Sequence, residues 1–133
     1  MTYKHNDFTF GKEVGRGGFA KVFKATHKTT GIDYAIKLIN KVEMIKKRFE
    51  SRVKSEITIQ LQMEHSNILQ LHDVFEDENY VYLLLDYCPN GDLSKYMKNN
   101  GKLSEYQGLK FKVLLSITLC IKNKCYIIMK LIY

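Results

Sequence analysis

Cysteine is scarce in this chain. Cys88, Cys120 and Cys125 are the three in 133 residues, an odd number at low density. That excludes a disulfide framework and fits a reducing compartment. No C-x-x-C pair and no mixed Cys/His spacing occurs, so no metal site is expected. Long hydrophobic runs are also lacking. "VLLSITLCI" is far short of the ~20 residues that span a bilayer, and "MTYKHNDFTF" is too polar for a signal peptide. A membrane is therefore not expected as a partner. Acid is missing from one end. All 14 Asp and Glu lie at or before Glu105, while the stretch from Tyr106 carries five lysines. The net charge of +7 thus belongs mostly to the tail, and the first 105 residues hold 16 basic against 14 acidic side chains. Nucleic acid is discounted as a partner, because phosphate binding needs a concentrated basic face. No internal repeat or low-complexity tract stands out. The length suits one small domain. A content of 45% hydrophobic and 26% charged residues fits an ordinary globular chain.

What is present begins with alternation. "FTFGKEV" puts Phe8, Phe10, Lys12 and Val14 on one face of a first strand. "AKVFKATH" and "YAIKLI" are the second and third strands, with a turn around Gly31 between them. Short turns pair strands antiparallel, so a three-stranded meander opens the chain. Its first hairpin, "GRGGFAKVF", holds three glycines and one alanine in six positions. Glycine costs roughly 0.5–1 kcal/mol relative to alanine inside regular structure. The hairpin is either a plain turn or a place where the backbone must approach something that a Cβ would push away. A dinucleotide-binding loop requires a helix directly after it, and the residues after Ala20 alternate at period two instead. A Walker-type loop is absent.

The connector "NKVEMIKKR" follows, and then one helix whose Phe49, Val53, Ile57, Gln60 and Leu61 share a face with Glu56. "ILQLHDVFE" and "YVYLLLDY" are two further strands. "DLSKYMKN" is a short helix with Asp92 as N-cap and Leu93, Tyr96 and Met97 on one side. "NNGK" ends it, and Ser104 with Gln107 forms a capping box for a further helix start.

In that order these motifs resemble the N-lobe of a protein kinase: α+β, a five-stranded antiparallel sheet with one inserted helix, followed by a short helix and an atypical helical or disordered tail. "VGRGGFAKV" resembles the glycine-rich loop, with Gly15, Gly17, Ala20 and Val22 in the pattern's places. "YAIK" resembles the third-strand motif ending in the phosphate-pairing lysine, here Lys37, and Glu56 stands where the family's helix glutamate pairs with it. "LLLDYCPNGDL" is similar to the gatekeeper and hinge, with Leu85 as gatekeeper and Asp86, Tyr87 and Cys88 as hinge. The third glycine of the usual loop is alanine, a wording typical of polo-like kinases, and "FEDENYVYLLLDYCPNGDLSKYMKNN" is most similar to their centriole-duplication branch. The likeness runs from about Asp7 to Glu105.

This resemblance implies an ATP site. The backbone of Gly15, Arg16, Gly17, Gly18, Phe19, Ala20 and Lys21 would fold over the phosphates, with Phe19 shielding them from water. Val14 and Val22 would lie above the base, Ala35 would leave room for adenine, and Lys37 would reach the α- and β-phosphates. Asp86 and Cys88 would meet the adenine edge, and Asp92 the ribose. Each residue alone has an ordinary reading. Lys37 would be a solvated strand lysine, Glu56 a helix partner of Arg52, Cys88 a partly buried neutral thiol, and Lys46, Lys47, Arg48, Arg52 and Lys54 a solvated helix face. His65 and His72 are read as structural. The case rests on the ordered set.

The family's His-Arg-Asp and Asp-Phe-Gly motifs do not occur. Asp7-Phe8-Thr9 precedes the glycine loop and cannot stand in for the second. The catalytic aspartate and the magnesium ligands are therefore absent, Mg²⁺ belongs to the complete domain, and the protein substrate would be met through the C-lobe. The expected division is an extension at 1–6, the ATP-binding lobe at 7–87, hinge and first C-lobe helix at 88–105, and a divergent tail at 106–133. The tail is read as a mistranslated intron, with a partner- or membrane-surface segment as its rival. The chain alone is expected to be inactive. The alternative is a non-catalytic lobe that associates with the full-length kinase and regulates it. The resemblance implies a cytoplasmic protein at centrosomes or centrioles.

Overall fold

A computed structural model describes residues 3–64, 68–89 and 93–109, with backbone alone for 93–96. The chain divides into two compact units, Met1–Glu64 with Gln70–Tyr87 and His65–Leu69 with Cys88–Tyr133. The first holds strands β1 (Phe8–Arg16), β2 (Ala20–His27), β3 (Asp33–Asn40), β4 (Leu71–Glu76) and β5 (Tyr80–Asp86), and helices α1 (Lys41–Lys46) and α2 (Glu50–Leu61). Every pairing is antiparallel, and the strand order is β1-β2-β3-β5-β4.

The turns follow from their residues. Gly31 closes the β2–β3 connection in the left-handed region, at φ 69°, where a Cβ is disfavoured. Asp77 closes the β4–β5 turn by accepting from the N–H groups of Asn79 and Tyr80 at 2.8 and 2.7 Å, as turn aspartates commonly do. The alternation expected in β1 does not persist. Register shifts between Phe10 and Glu13 and between Glu13 and Gly15 interrupt the ladder. An irregularity of this kind breaks the period-two assignment of faces. Phe8 is buried and Phe10 half-buried, whereas Lys12 and Val14 are exposed.

The segment between β3 and β4 carries two helices where the sequence reading expects one. The charged connector is α1. Asn40 caps it, its Oδ1 accepting from the Glu43 N–H at 3.0 Å, the usual role of asparagine at such a position. Val42 to Lys46 then complete a short helix, with Glu43 in its first turn and Lys46 in its last, complementing the helix dipole. Arg48, at φ 56°, reverses the chain into α2. On α2 Val53 is buried, and Phe49, Ile57 and Gln60 are half-buried. Leu61, expected on that face, is exposed. The helix ends there, and Met63 is buried instead, at 7% exposure.

The centre of the sheet is buried on both faces. Ile36 and Leu84 belong to an aromatic-rich cluster with Phe8, Ala25, Phe75 and Tyr82, against which Tyr3, Phe10, Tyr34, Leu38 and Tyr80 pack. Ile39 and Leu83, which alternate to the opposite face, are equally buried. This explains why β5 reads as a continuous "YLLL" run rather than as an alternation. The N-terminal extension is tied to the sheet. Tyr3 N–H donates to Asp73 Oδ2 at 3.1 Å, and the His5 ring stacks on Phe10 at 4.7 Å. A groove of about 440 Å³ opens between the helices and the β4–β5 pair, lined by Met44, Val53, Ile57, Val74 and Val81 among others.

In the second unit, α3 spans Leu93–Asn100 and closes at Gly101. The Gly101 φ of 80° and its N–H bond to the Met97 carbonyl make a glycine C-terminal cap. Ser104 and Gln107 cap reciprocally. Ser104 N–H donates to Gln107 Oε1 at 2.9 Å, and Gln107 N–H to Ser104 Oγ at 3.2 Å.

Candidate functional site

Directly opposed residues of antiparallel strands share a face. The registers Gly15↔Val22, Val22↔Lys37 and Lys37↔Leu83 therefore string one row across β1, β2, β3 and β5. Lys24↔Ala35, Ala35↔Leu85 and Leu85↔Leu71 make a second row on the same face. Ala35 and Leu85 are buried, so this part of the face is apolar, flanked by two strand lysines, Lys37 and the Asp33-paired Lys24. The glycine hairpin tip, residues 17–19, turns with Gly17 N–H donating to the Ala20 carbonyl at 2.7 Å. Gly15 lies opposite Val22, where a Cβ would meet the valine methyl at 3.8 Å.

Helix α2 brings the partner for the Lys37 ammonium. Lys37 Nζ donates to Glu56 Oε1 at 3.0 Å. The two side chains are 24% and 40% exposed, so the pair contributes no more than about 1 kcal/mol to stability. Its importance is positional. It fixes a cation on the row that runs under the glycine hairpin, with Ala35 one step away along β3.

The protein kinase domain profile matches residues 8–126. The chain belongs to the protein kinase domain family. It is 44% identical over 99 residues to the serine/threonine-protein kinase PLK4 of Xenopus laevis, covering 74% of this chain and 10% of that protein. PLK4 of Danio rerio is 43% identical over 95 residues, 71% of this chain and 10% of that protein. An Aurora kinase of Candida glabrata is 41% identical over 99 residues, 74% of this chain and 28% of that protein. The chain thus spans about a tenth of the length of these PLK4 relatives. The matched span reaches residue 126, beyond Glu105, where the quoted motifs stop.

Within this kinase N-lobe the candidate residues divide. Gly15, Val22, Ala35, Lys37 and Leu85 share one face, and Glu56 joins them from α2. Arg16 and Lys21 oppose each other and alternate to the other side, so only their main chain belongs to the hairpin's inner face. Arg16 makes a bidentate pair with Glu13 at 2.7 and 2.8 Å. That charge-assisted bond holds the Glu13 carboxyl below the usual carboxylate range. Val14 is 43% exposed at the rim. The Phe19 ring is stacked on Phe49 at 5.4 Å. Gly18 and Phe19 are engaged by Lys47, whose Nζ donates to the Gly18 carbonyl at 2.9 Å and lies 5.8 Å from the ring centre.

At the far end of β5, Asp86 N–H donates to the Gln70 carbonyl at 3.1 Å, and its carboxylate takes the Gln70 N–H and His72 Nε2 at 3.2 and 2.8 Å. His72 thus ties β4 to the Asp86 carboxylate at the end of β5. Tyr87 is held by Lys24, whose ammonium stands 5.2 Å from its ring centre and pairs with Asp33 at 2.7 Å. Cys88 is half-buried, in the second unit, and its sulfur is in no disulfide. Asp92 and His65 lie outside the described residues. Among the described residues no group of acidic, His or Cys side chains is arranged to hold a metal ion, and no helix is long and apolar enough to cross a membrane.

Sequence reasoning missed Lys47 and Phe49. It assigned Lys47 to a solvated run and Phe49 to the helix's packing face. The reversal at Arg48 separates Lys47 from that helix and turns Phe49 towards the hairpin. The only local signal was an aromatic residue directly after a basic cluster.

Proposed function

We propose that this chain is the ATP-binding part of a serine/threonine protein kinase of polo-like type. The observation that carries the reading is the 3.0 Å pair between Lys37 and Glu56 on the row running beneath the glycine hairpin. ATP supplies the transferable γ-phosphoryl group when bound, and the residues present suit it. Ala35, opposite Leu85, leaves flat apolar room for a base. Lys37, one step further along the same face, would hold the α- and β-phosphates, with Glu56 fixing its direction. Gly15, Gly17 and Gly18 let main-chain N–H groups come close to phosphate oxygens without a Cβ in the way. Val14 and Val22 would cover the base. The Asp86 N–H is bound to Gln70, so an adenine contact at Asp86 falls to its carbonyl, with Cys88 as the second hinge contact. Asp92 would meet the ribose.

The Mg²⁺ ligands and catalytic aspartate of the family are not among this chain's motifs, so no step through the metal is derived for it. The 133-residue chain alone binds nucleotide weakly and does not turn over. The complete domain transfers phosphate to a protein serine or threonine. Its cellular setting, the centriole cycle with cytoplasmic and centrosomal residence, follows from the resemblance to the polo-like branch alone.

Titration of the chain with ADP tests the reading. The expected result is a rise in Tm with nucleotide that Lys37→Met abolishes, while the nucleotide-free Tm changes by the small amount expected for a partly exposed pair. An unchanged wild-type Tm at millimolar ADP, or turnover by the wild-type chain that Lys37→Met removes, would overturn the respective claim.

A further inference from the structure

We propose that Lys47 and Phe49 are positioning residues that pin the tip of the glycine hairpin to the α1–α2 junction, so that the hairpin and the helix carrying Glu56 move as one. The functional meaning rests on the kinase reading above, but the mechanical claim stands on separate geometry. Helix α1 ends in a double reversal: Arg48 N–H donates to the Ile45 carbonyl at 2.9 Å and Phe49 N–H to the Met44 carbonyl at 3.0 Å, with Arg48 left-handed at φ 56°. Glycine usually occupies that position in this motif. A long side chain there persists when the surroundings over-determine the backbone, a condition that concentrates at functional junctions.

The reversal aims two side chains at the hairpin. Lys47 Nζ donates to the Gly18 carbonyl at 2.9 Å and lies 5.8 Å from the centre of the Phe19 ring. Phe49 stacks on the same Phe19 ring at 5.4 Å with 28° between the planes. From the sheet side, Asn40 N–H donates to the Phe19 carbonyl at 3.0 Å. The Lys47 ammonium sits close over the hairpin backbone, 3.3 Å from where a Cβ on Gly18 would lie. A glycine hairpin has little stiffness of its own, and Phe19 supplies its anchor. Phe49 is also the residue that starts α2, its carbonyl accepting from the Val53 N–H at 2.9 Å, and Glu56 lies on that same helix. Displacing the hairpin tip must therefore disturb the first turn of α2, and the reverse.

Residue-resolved amide hydrogen exchange on the nucleotide-free 133-residue chain tests this without reference to ATP. Phe49→Ala and Lys47→Met are each expected to speed exchange at Gly17 and Asn40 by roughly three- to tenfold, the scale of one ring pair or hydrogen bond. Phe19→Ala is expected to speed exchange at Val53 by a similar factor, and Phe49→Tyr to preserve wild-type protection. Amides of Leu83 and Leu84 should stay unchanged in all four. If Phe49→Ala unfolds the chain, seen as loss of protection at Leu84, the surface variant Lys47→Met decides alone. Wild-type exchange at Gly17 and Asn40 in Lys47→Met, or a Phe19→Ala chain whose Val53 amide is unaffected, would overturn the proposal. Failure of ADP to raise Tm would strike the kinase reading and leave these exchange results standing.

Discussion

Asp77 illustrates how much one side chain can do. One carboxylate oxygen closes the β4–β5 turn on two backbone N–H groups, and the other accepts from the Tyr82 hydroxyl at 2.7 Å. The Tyr82 bond, with help from the backbone donors, lowers the Asp77 pKa from its ordinary 3.8. Burial, and then the bond to Asp77, pushes the Tyr82 phenol upward. A carboxylate depressed in the folded state adds stability above its unfolded value and loses it as pH falls through the folded one. Asp77 should therefore stabilise the chain fully above about pH 4 and progressively less on further acidification. Urea midpoints at pH 7 and pH 3 check this: Asp77→Asn should be less stable than wild type at pH 7, and the gap should narrow at pH 3. The Lys37–Glu56 pair works differently. It lies half in solvent, so its removal should be felt in nucleotide binding far more than in folding.

The elements differ in how local their causes are. Helix α1 is short and leans on its cap. Asn40→Ala should cost about 1 kcal/mol, measured by chemical denaturation, with the loss concentrated in residues 41–46 by hydrogen exchange. Its C-terminal reversal carries a left-handed arginine, and conformations of that kind cost roughly 1–2 kcal/mol outside glycine. Strand β1 is the opposite case. Its residues alternate on paper, yet the register shifts expose Lys12 and Val14. The causes differ: in β1 two register shifts reset the faces that follow them, and after α1 a single left-handed residue, Arg48, redirects the chain.

For the whole molecule, the sheet centre carries stability, and the face bearing Lys37 carries the proposed nucleotide site. Leu84 is fully buried at the middle of β5. Leu84→Ala should destabilise the chain by about 2–5 kcal/mol, whereas Leu61→Ala, at the exposed end of α2, should stay within about 0.5 kcal/mol. Urea unfolding of the two variants side by side checks the contrast. The sequence by itself determined the strands, because alternation and apolar runs report burial directly. It also placed the turn at Gly31 and the Ser104–Gln107 cap, because those depend on residues within a few positions. Lys37 and Glu56 were named too, through spacing that only a family pattern makes legible. Tertiary structure decided the rest. It set β5 between β3 and β4, brought the carboxylate of α2 to within 3.0 Å of the β3 ammonium, and turned a run of charges into a reversal that grips the hairpin tip. These contacts join residues far apart in the chain. No local propensity encodes them, because they exist only when separate elements bury their apolar faces together.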